Sequence, residues 1–259
     1  MSQIHLYGVK IDNVGLDEAV EHALTDRGEP CWVVTPNALM LDACRKDASY
    51  ADLLDRATLS LADGAGVLLA ARRMGTPLVG RVAGIEFGEA LLGRAAREGL
   101  RVFFLGGGDG VAQKAAQALA LRYEGLRVCG AYWGYFQKEG EDDRRVTELI
   151  RAARPDILFV CFGFPMQERW IAEHIGFMDG IRVVAGLGGS LDVWSGQLRR
   201  APRVVSSIGM EWLWRMAREP KRLKNLPTLA RFALYGGRTR AHTEKNRPQN
   251  PCQGSSRRF

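Results

Sequence analysis

Five short stretches of this chain carry side chains and glycines suited to chemistry. They are TPN (35–37), ADG (62–64), GGGDG (106–110), GFPMQER (163–169) and GLGGSLDVW (186–194). Asp63 closes a short apolar run and is followed by glycine, so it projects where a lone carboxylate can act as a general base, or else caps the next helix. Thr35 and Asn37 offer a hydroxyl and an amide to a sugar; equally, Pro36 and Asn37 suit a helix start. Gln167 falls in the first turn of a helix, where its amide can reach a hydroxyl, while Pro165 and Glu168 suit helix initiation in any case. In the last stretch the glycines permit close backbone approach, and Asp192 can accept from a ribose or a base.

Gly106, Gly107 and Gly108 follow an apolar run and precede a helix, an arrangement that cradles phosphate on backbone N–H groups. A dinucleotide fingerprint does not fit, because position 111 is Val and no acidic residue stands about 20 residues further on. A plain tight turn therefore competes with a diphosphate contact.

These stretches need a scaffold. PCWVVTPN, LSLADG, RVFFLGGG, RVCGAYWGYF, DILFVCFGFP and IRVVAGLGG read as strands. Between them, ALMLDACRKDASYADLLDRA, AGVLLAARRMG, GIEFGEALLGRAAREG, DGVAQKAAQALALRYEG, EDDRRVTELIRAARP and MQERWIAEHIGFM read as helices, with Asp109 expected to cap the fourth. Regular alternation predicts an α/β fold, a Rossmann-like mostly parallel sheet with helices on both faces. Ligands of such folds lie beyond the carboxyl ends of the strands, and all five stretches fall on that rim.

Three regions are expected: an α/β catalytic domain over 1–200, a helical basic appendage over 201–235, and a disordered tail over 236–259. The appendage is basic because 199–240 contain eleven Lys and Arg against Glu211 and Glu219. The tail lacks enough apolar side chains to fold.

Among the 259 residues, 36 Lys and Arg against 29 Asp and Glu give a net charge of +7, which suits anionic partners. Five scattered cysteines without a CxxC pair suit a reducing compartment, and the four histidines lack zinc-ligand spacing. No signal peptide is evident at the N-terminus, and no apolar run approaches the ~18 residues of a spanning helix, so membrane contact would be peripheral.

TPNALML, LADGAGVLLAARRMGTPLVGRVAG, FLGGGDGVAQ, PDILFVCFGFPMQERW, GLGGSLDVWSGQLRRAP and GMEWLWRMAREPKR stand in an order and spacing that resemble the WecG/TagA/CpsF glycosyltransferases, glycosyltransferase family 26, over about residues 5–225. The resemblance implies transfer of a sugar from a UDP-sugar to a polyprenyl-diphosphate-linked saccharide in bacterial surface polysaccharide synthesis. The sugar would be N-acetylmannosamine, its uronic acid or a related sugar. It implies Asp63 as general base, with Thr35, Asn37, Arg81 and Gln167 lining the sugar site. Arg215 and Arg222 would reach the nucleotide diphosphate as the appendage folds over the site.

No DxD motif occurs, so the resemblance and the sequence agree on a metal-independent reaction without a cofactor, in which arginines and amides meet the leaving diphosphate. One rim carboxylate suffices for an inverting transfer. Arg215, Arg218 and Arg222 share one helical stripe, interrupted by Pro220, with Trp212 and Trp214 flanking it. The tryptophans suit either a membrane interface or packing on the main domain. The expected location is the cytoplasm, at the inner face of the cell membrane, with homo-oligomerisation left open. Two rivals stand against this reading: an NAD(P)-binding oxidoreductase, weakened by the missing fingerprint, and a nucleic-acid-binding protein, weakened by basic charge confined to the C-terminal part.

Overall fold

The computed structural model describes residues 2–200, Trp214 and 226–235. Arg215, Arg218, Arg222, Trp212 and the 236–259 tail lie outside the described residues.

Six parallel strands form the main sheet: β3 (Cys31–Val34), β4 (Leu59–Ser60), β5 (Arg101–Gly106), β6 (Arg127–Tyr132), β7 (Ile157–Cys161) and β8 (Val183–Gly186), in spatial order β4-β3-β8-β7-β5-β6. Their side chains alternate between two cores. Ile157, Phe159 and Cys161 face one side and Leu158 and Val160 the other, as the period of two requires. Both faces being buried explains why these strands read as continuous apolar runs.

On the first face lie α1 (Leu16–Leu24), α5 (Gly84–Glu98), α6 (Val111–Arg122) and α9 (Ser190–Trp194). The second carries α2 (Ala38–Lys46), α3 (Ala48–Asp55), α4 (Ala65–Arg73), α7 (Gly140–Ala153), α8 (Met166–His174) and α10 (Leu226–Tyr235). Handedness accounts for this division. The chain moves outward from β5 to β6 through α6 and back from β6 to β7 through α7, so right-handed crossovers put the two helices on opposite faces. Strands β5 and β7 are neighbours whose following helices leave in opposite directions, which opens a crevice at their carboxyl ends.

Several local expectations need correction. The helix expected from residue 38 to residue 57 is two helices, because Asp47 ends α2 and caps α3 by accepting from Ser49 N and Tyr50 N. Asp109 does not cap α6; the cap position is Gly110, at φ +69°, with no side-chain hydrogen bond. The N-terminal segment, unread as structure in the sequence, is a hairpin of β1 (Ser2–Leu6) and β2 (Val9–Asn13) joined at Tyr7 and Gly8, both at positive φ. Buried Asp12 fastens it to the main sheet, accepting from Gln3 Nε2 and Ser60 N, each at 2.8 Å.

Part of the basic C-terminal stretch belongs to the same body. Helix α10 places Phe232, 6% exposed, in the second core, 5.8 Å from the Tyr7 ring and against Gly66 of α4. Arg231 donates to buried Asp42 of α2 at 3.1 Å.

Candidate active site

The loops after β3 and β4 are stitched together by backbone. Asp63 N donates to Pro36 O at 3.0 Å, Leu61 N to Val34 O at 2.9 Å, and Val82 N to Ala62 O at 3.0 Å. TPN, ADG and the Arg81 segment therefore converge at one end of the rim. Asp63 is half-buried there, and the cap position of α4 is Gly64, not Asp63.

Asn37 does cap α2: its Oδ1 accepts from Leu39 N at 3.0 Å and Met40 N at 3.2 Å. The amide oxygen is taken by the helix, which leaves the NH2 end as the donor to offer a ligand. Thr35 Oγ1 reaches Gly186 O at 3.4 Å and is 8% exposed, because Gly84 has no Cβ to exclude its side chain.

Arg81 shares an acceptor with the last residue before the appendage. Arg81 Nη2 lies 3.0 Å and Arg200 Nη2 2.6 Å from Glu86 Oε1, and Arg200 also faces Glu89, which in turn pairs with Arg122. Neither Glu86 nor Arg200 was legible as a partner of Arg81, since their spacing from it fits no single helix face.

Gln167 is only 4% exposed, and both ends of its amide are engaged within the protein. Gly188 N–H donates to Oε1 at 2.9 Å and Gly163 N–H at 3.2 Å, while Nε2 donates to Glu168 Oε1 at 2.7 Å. A Cβ on Gly186 would sit 2.8 Å from Nε2, so glycine there makes room for the amide. Glu168 itself is 1% exposed and also accepts from Tyr50 OH at 3.3 Å. Burial pushes its carboxyl up to about 6. Sequence reasoning assigned Glu168 to helix initiation; an acidic residue in a first turn gives no sign of being buried.

At the other end, Gly106 crosses the end of β7 with φ +143°. A Cβ there would lie 2.4 Å from Cys161 O, so only glycine fits. Gly107, at φ +69°, accepts from Gly134 N at 2.8 Å, while Gly108 is the following, half-buried residue of the turn. Nearby, Lys138 donates to Gly134 O at 2.5 Å and Phe136 O at 2.9 Å, over the Phe136 and Phe162 rings. Partial burial lowers its pKa. Asp192 lies in α9, which Trp194 anchors by packing on Phe104 and Phe159.

The sheet thus brings the expected residues into two groups. Asp63, Thr35, Asn37 and Arg81 sit over β4 and β3, and the Gly106–Gly108 turn over β5. Three strand spacings from β3 to β5 separate them by about 14 Å. Gln167 lies between, beneath the loops after β7 and β8. Arg215 and Arg222 fall outside the described residues. Trp214 Nε1 donates to Arg199 O at 3.4 Å. Among the described residues no three His, Cys, Asp or Glu gather as metal ligands, and no helix is long and apolar enough to cross a membrane.

Comparison with known proteins adds to this geometry. The model of the Glycosyl transferase WecG/TagA/CpsF family matches residues 4–246. Relatives from Staphylococcus aureus strains MW2, MRSA252 and NCTC 8325 / PS 47 are each 32% identical over 235 residues, covering 89% of this chain and 91% of each relative. All three are named N-acetylglucosaminyldiphosphoundecaprenol N-acetyl-beta-D-mannosaminyltransferase.

Proposed function

Since the chain belongs to the WecG/TagA/CpsF family of glycosyltransferases, we propose that it transfers N-acetylmannosamine from a UDP-sugar to N-acetylglucosamine carried on a polyprenyl diphosphate. The observation that supports this reading is the backbone stitching of Asp63 to Pro36 and of Val82 to Ala62, which joins the loops that carry Thr35, Asn37, Asp63 and Arg81. The acceptor is that named in the relatives.

In this reading Asp63 removes the proton from the attacking hydroxyl of the acceptor. The new glycosidic bond forms as the bond to UDP breaks on the opposite face of the anomeric carbon, with inversion. Asn37 presents its amide NH2 to the donor sugar, and Thr35 and Arg81 line the same end. Gly106, Gly107 and Gly108 bring backbone toward the nucleotide, and Asp192 accepts from its ribose. Arg215 and Arg222 supply the charge that the departing diphosphate requires, without metal or cofactor. The basic C-terminal stretch meets anionic lipid at the inner face of the membrane, where the acceptor resides.

A neutral donor is favoured over its uronic acid by the Arg81–Glu86 pair, because a sugar carboxylate would compete with Glu86 for that guanidinium. The deciding experiment is turnover of the full chain with UDP-N-acetylmannosamine, UDP-N-acetylmannosaminuronic acid and UDP-N-acetylglucosamine, on a lipid-diphosphate N-acetylglucosamine acceptor. A disaccharide product with the first donor supports the reading. Absence of product with all three would overturn it.

A further inference from the structure

We infer that Glu168 is a positioning residue that works through Gln167, fixing which end of that amide faces the rim and so holding the loops after β7 and β8 at a set distance. The consequence for transfer rests on the glycosyltransferase reading above; the clasp itself does not.

Four elements meet in it. Tyr50 comes from α3 and Glu168 from α8. Gly163 belongs to the loop after β7 and Gly188 to the loop after β8. A primary amide has one accepting and one donating end, and either can point either way until its neighbours decide. Here two backbone N–H groups converge on one end, 3.2 and 2.9 Å from Oε1, and a carboxylate lies 2.7 Å from the other. A reversed amide would set NH2 against two N–H donors and its oxygen against a carboxylate. All three contacts would be repulsive, in a place that water does not reach.

The two N–H groups alone favour the observed orientation, but only the carboxylate makes the far end equally demanding. Glu168 is 1% exposed, so an aqueous partner cannot replace it. Tyr50 OH holds its second oxygen, which keeps the carboxylate from turning away. Gly163 and Gly188 both have positive φ, at +80° and +53°, so their loops are shaped by turns and gain their mutual spacing from the shared oxygen of Gln167. Between these loops and Gly106–Gly108 runs the crevice at the strand ends.

The test pairs amide hydrogen exchange of segments 162–166 and 186–190 with donor kinetics, on the full chain and its variants. Glu168→Ala is expected to speed exchange in both loops by about tenfold or more, the scale of one buried hydrogen bond left unmade. Gln167→Ala should match it, and the double variant should add nothing further. Glu168→Gln keeps an oxygen for Gln167 Nε2 and should keep both loops protected. With UDP-N-acetylmannosamine, Glu168→Ala should raise the donor KM by a larger factor than it lowers kcat, because the loops bind the donor and do not move the proton. Should the alanine variant fail to fold, Glu168→Met preserves volume and is expected to free both loops alike. Unchanged exchange in both Glu168→Ala and Glu168→Met, or effects of Glu168 and Gln167 that simply add, would overturn the inference. If the wild type transfers no sugar, the glycosyltransferase reading fails while the exchange data still decide the clasp.

Discussion

Asp63 and Pro36 are joined by a backbone hydrogen bond of 3.0 Å, from the Asp63 N–H to the Pro36 carbonyl. Strand β4 is only two residues long, so this bond, beyond the strand's end, holds the main chain of residue 63 alongside the Thr35–Asn37 loop. The bond belongs to the main chain, and side-chain substitution at 63 can therefore be separated from placement of the loop.

Asp63→Asn keeps the size of the side chain and removes its basicity. Transfer is expected to fall by about 10²–10⁴-fold, the range of a general base. The urea unfolding midpoint should move little. Turnover near that of the wild type would remove Asp63 from the role of base.

Asn37 has two separable ends. Asn37→Ala removes the cap of α2 and should lower stability by about 1 kcal/mol, read by equilibrium unfolding. Asn37→Asp retains the capping oxygen and should hold stability while losing the NH2 donor, seen as a higher donor KM. Equal kinetics in the aspartate variant would restrict Asn37 to capping.

Glu168 makes stability depend on pH in a defined direction. Its carboxyl is raised by burial from 4.5 to about 6, so the folded state holds the proton more tightly than the unfolded chain. The resulting stabilisation is complete below about pH 4.5 and lost as pH rises through about 6, amounting to roughly 2 kcal/mol. Tyr50 and Cys44 face the same carboxylate and stay neutral over this window, burial raising both, Cys44 to about 12. Glu168→Gln lacks the titration, so its stability relative to the wild type should be about 2 kcal/mol more favourable at pH 7.5 than at pH 4.5, measured by urea unfolding at both.

Phe232 tests whether the C-terminal helix is part of the body. Phe232→Ala empties a core position shared with Tyr7 and α4 and should cost about 3 kcal/mol. An unchanged unfolding midpoint would mean that α10 contributes nothing to the stability of the α/β domain.

The alternating strands and helices, the parallel sheet and the rim location of ADG, TPN and GGGDG could be read from sequence because they follow from local periodicity. An apolar run ending in glycine looks the same wherever its neighbours in the sheet come from. The N-terminal hairpin was less legible: SQIHL leaves three of its five side chains exposed, and it is tied to the main sheet by Asp12 holding Ser60, 48 residues away, and by Leu6, Val9 and Ile11 in the second core.

The sequence alone determined which residue types reach the carboxyl ends of the strands, since strand order and crossover hand leave few alternatives for a chain of this pattern. Only the tertiary structure decided what those residues do there. Asn37 Oδ1 turns inward to cap its own helix. Gln167 is sealed between Gly188, 21 residues on, and a carboxylate that itself depends on Tyr50, 118 residues before it. Arg81 shares Glu86 with Arg200 from the far end of the domain. A polar side chain's partners are set by desolvation and geometry among segments distant in sequence, and neither is encoded in local spacing.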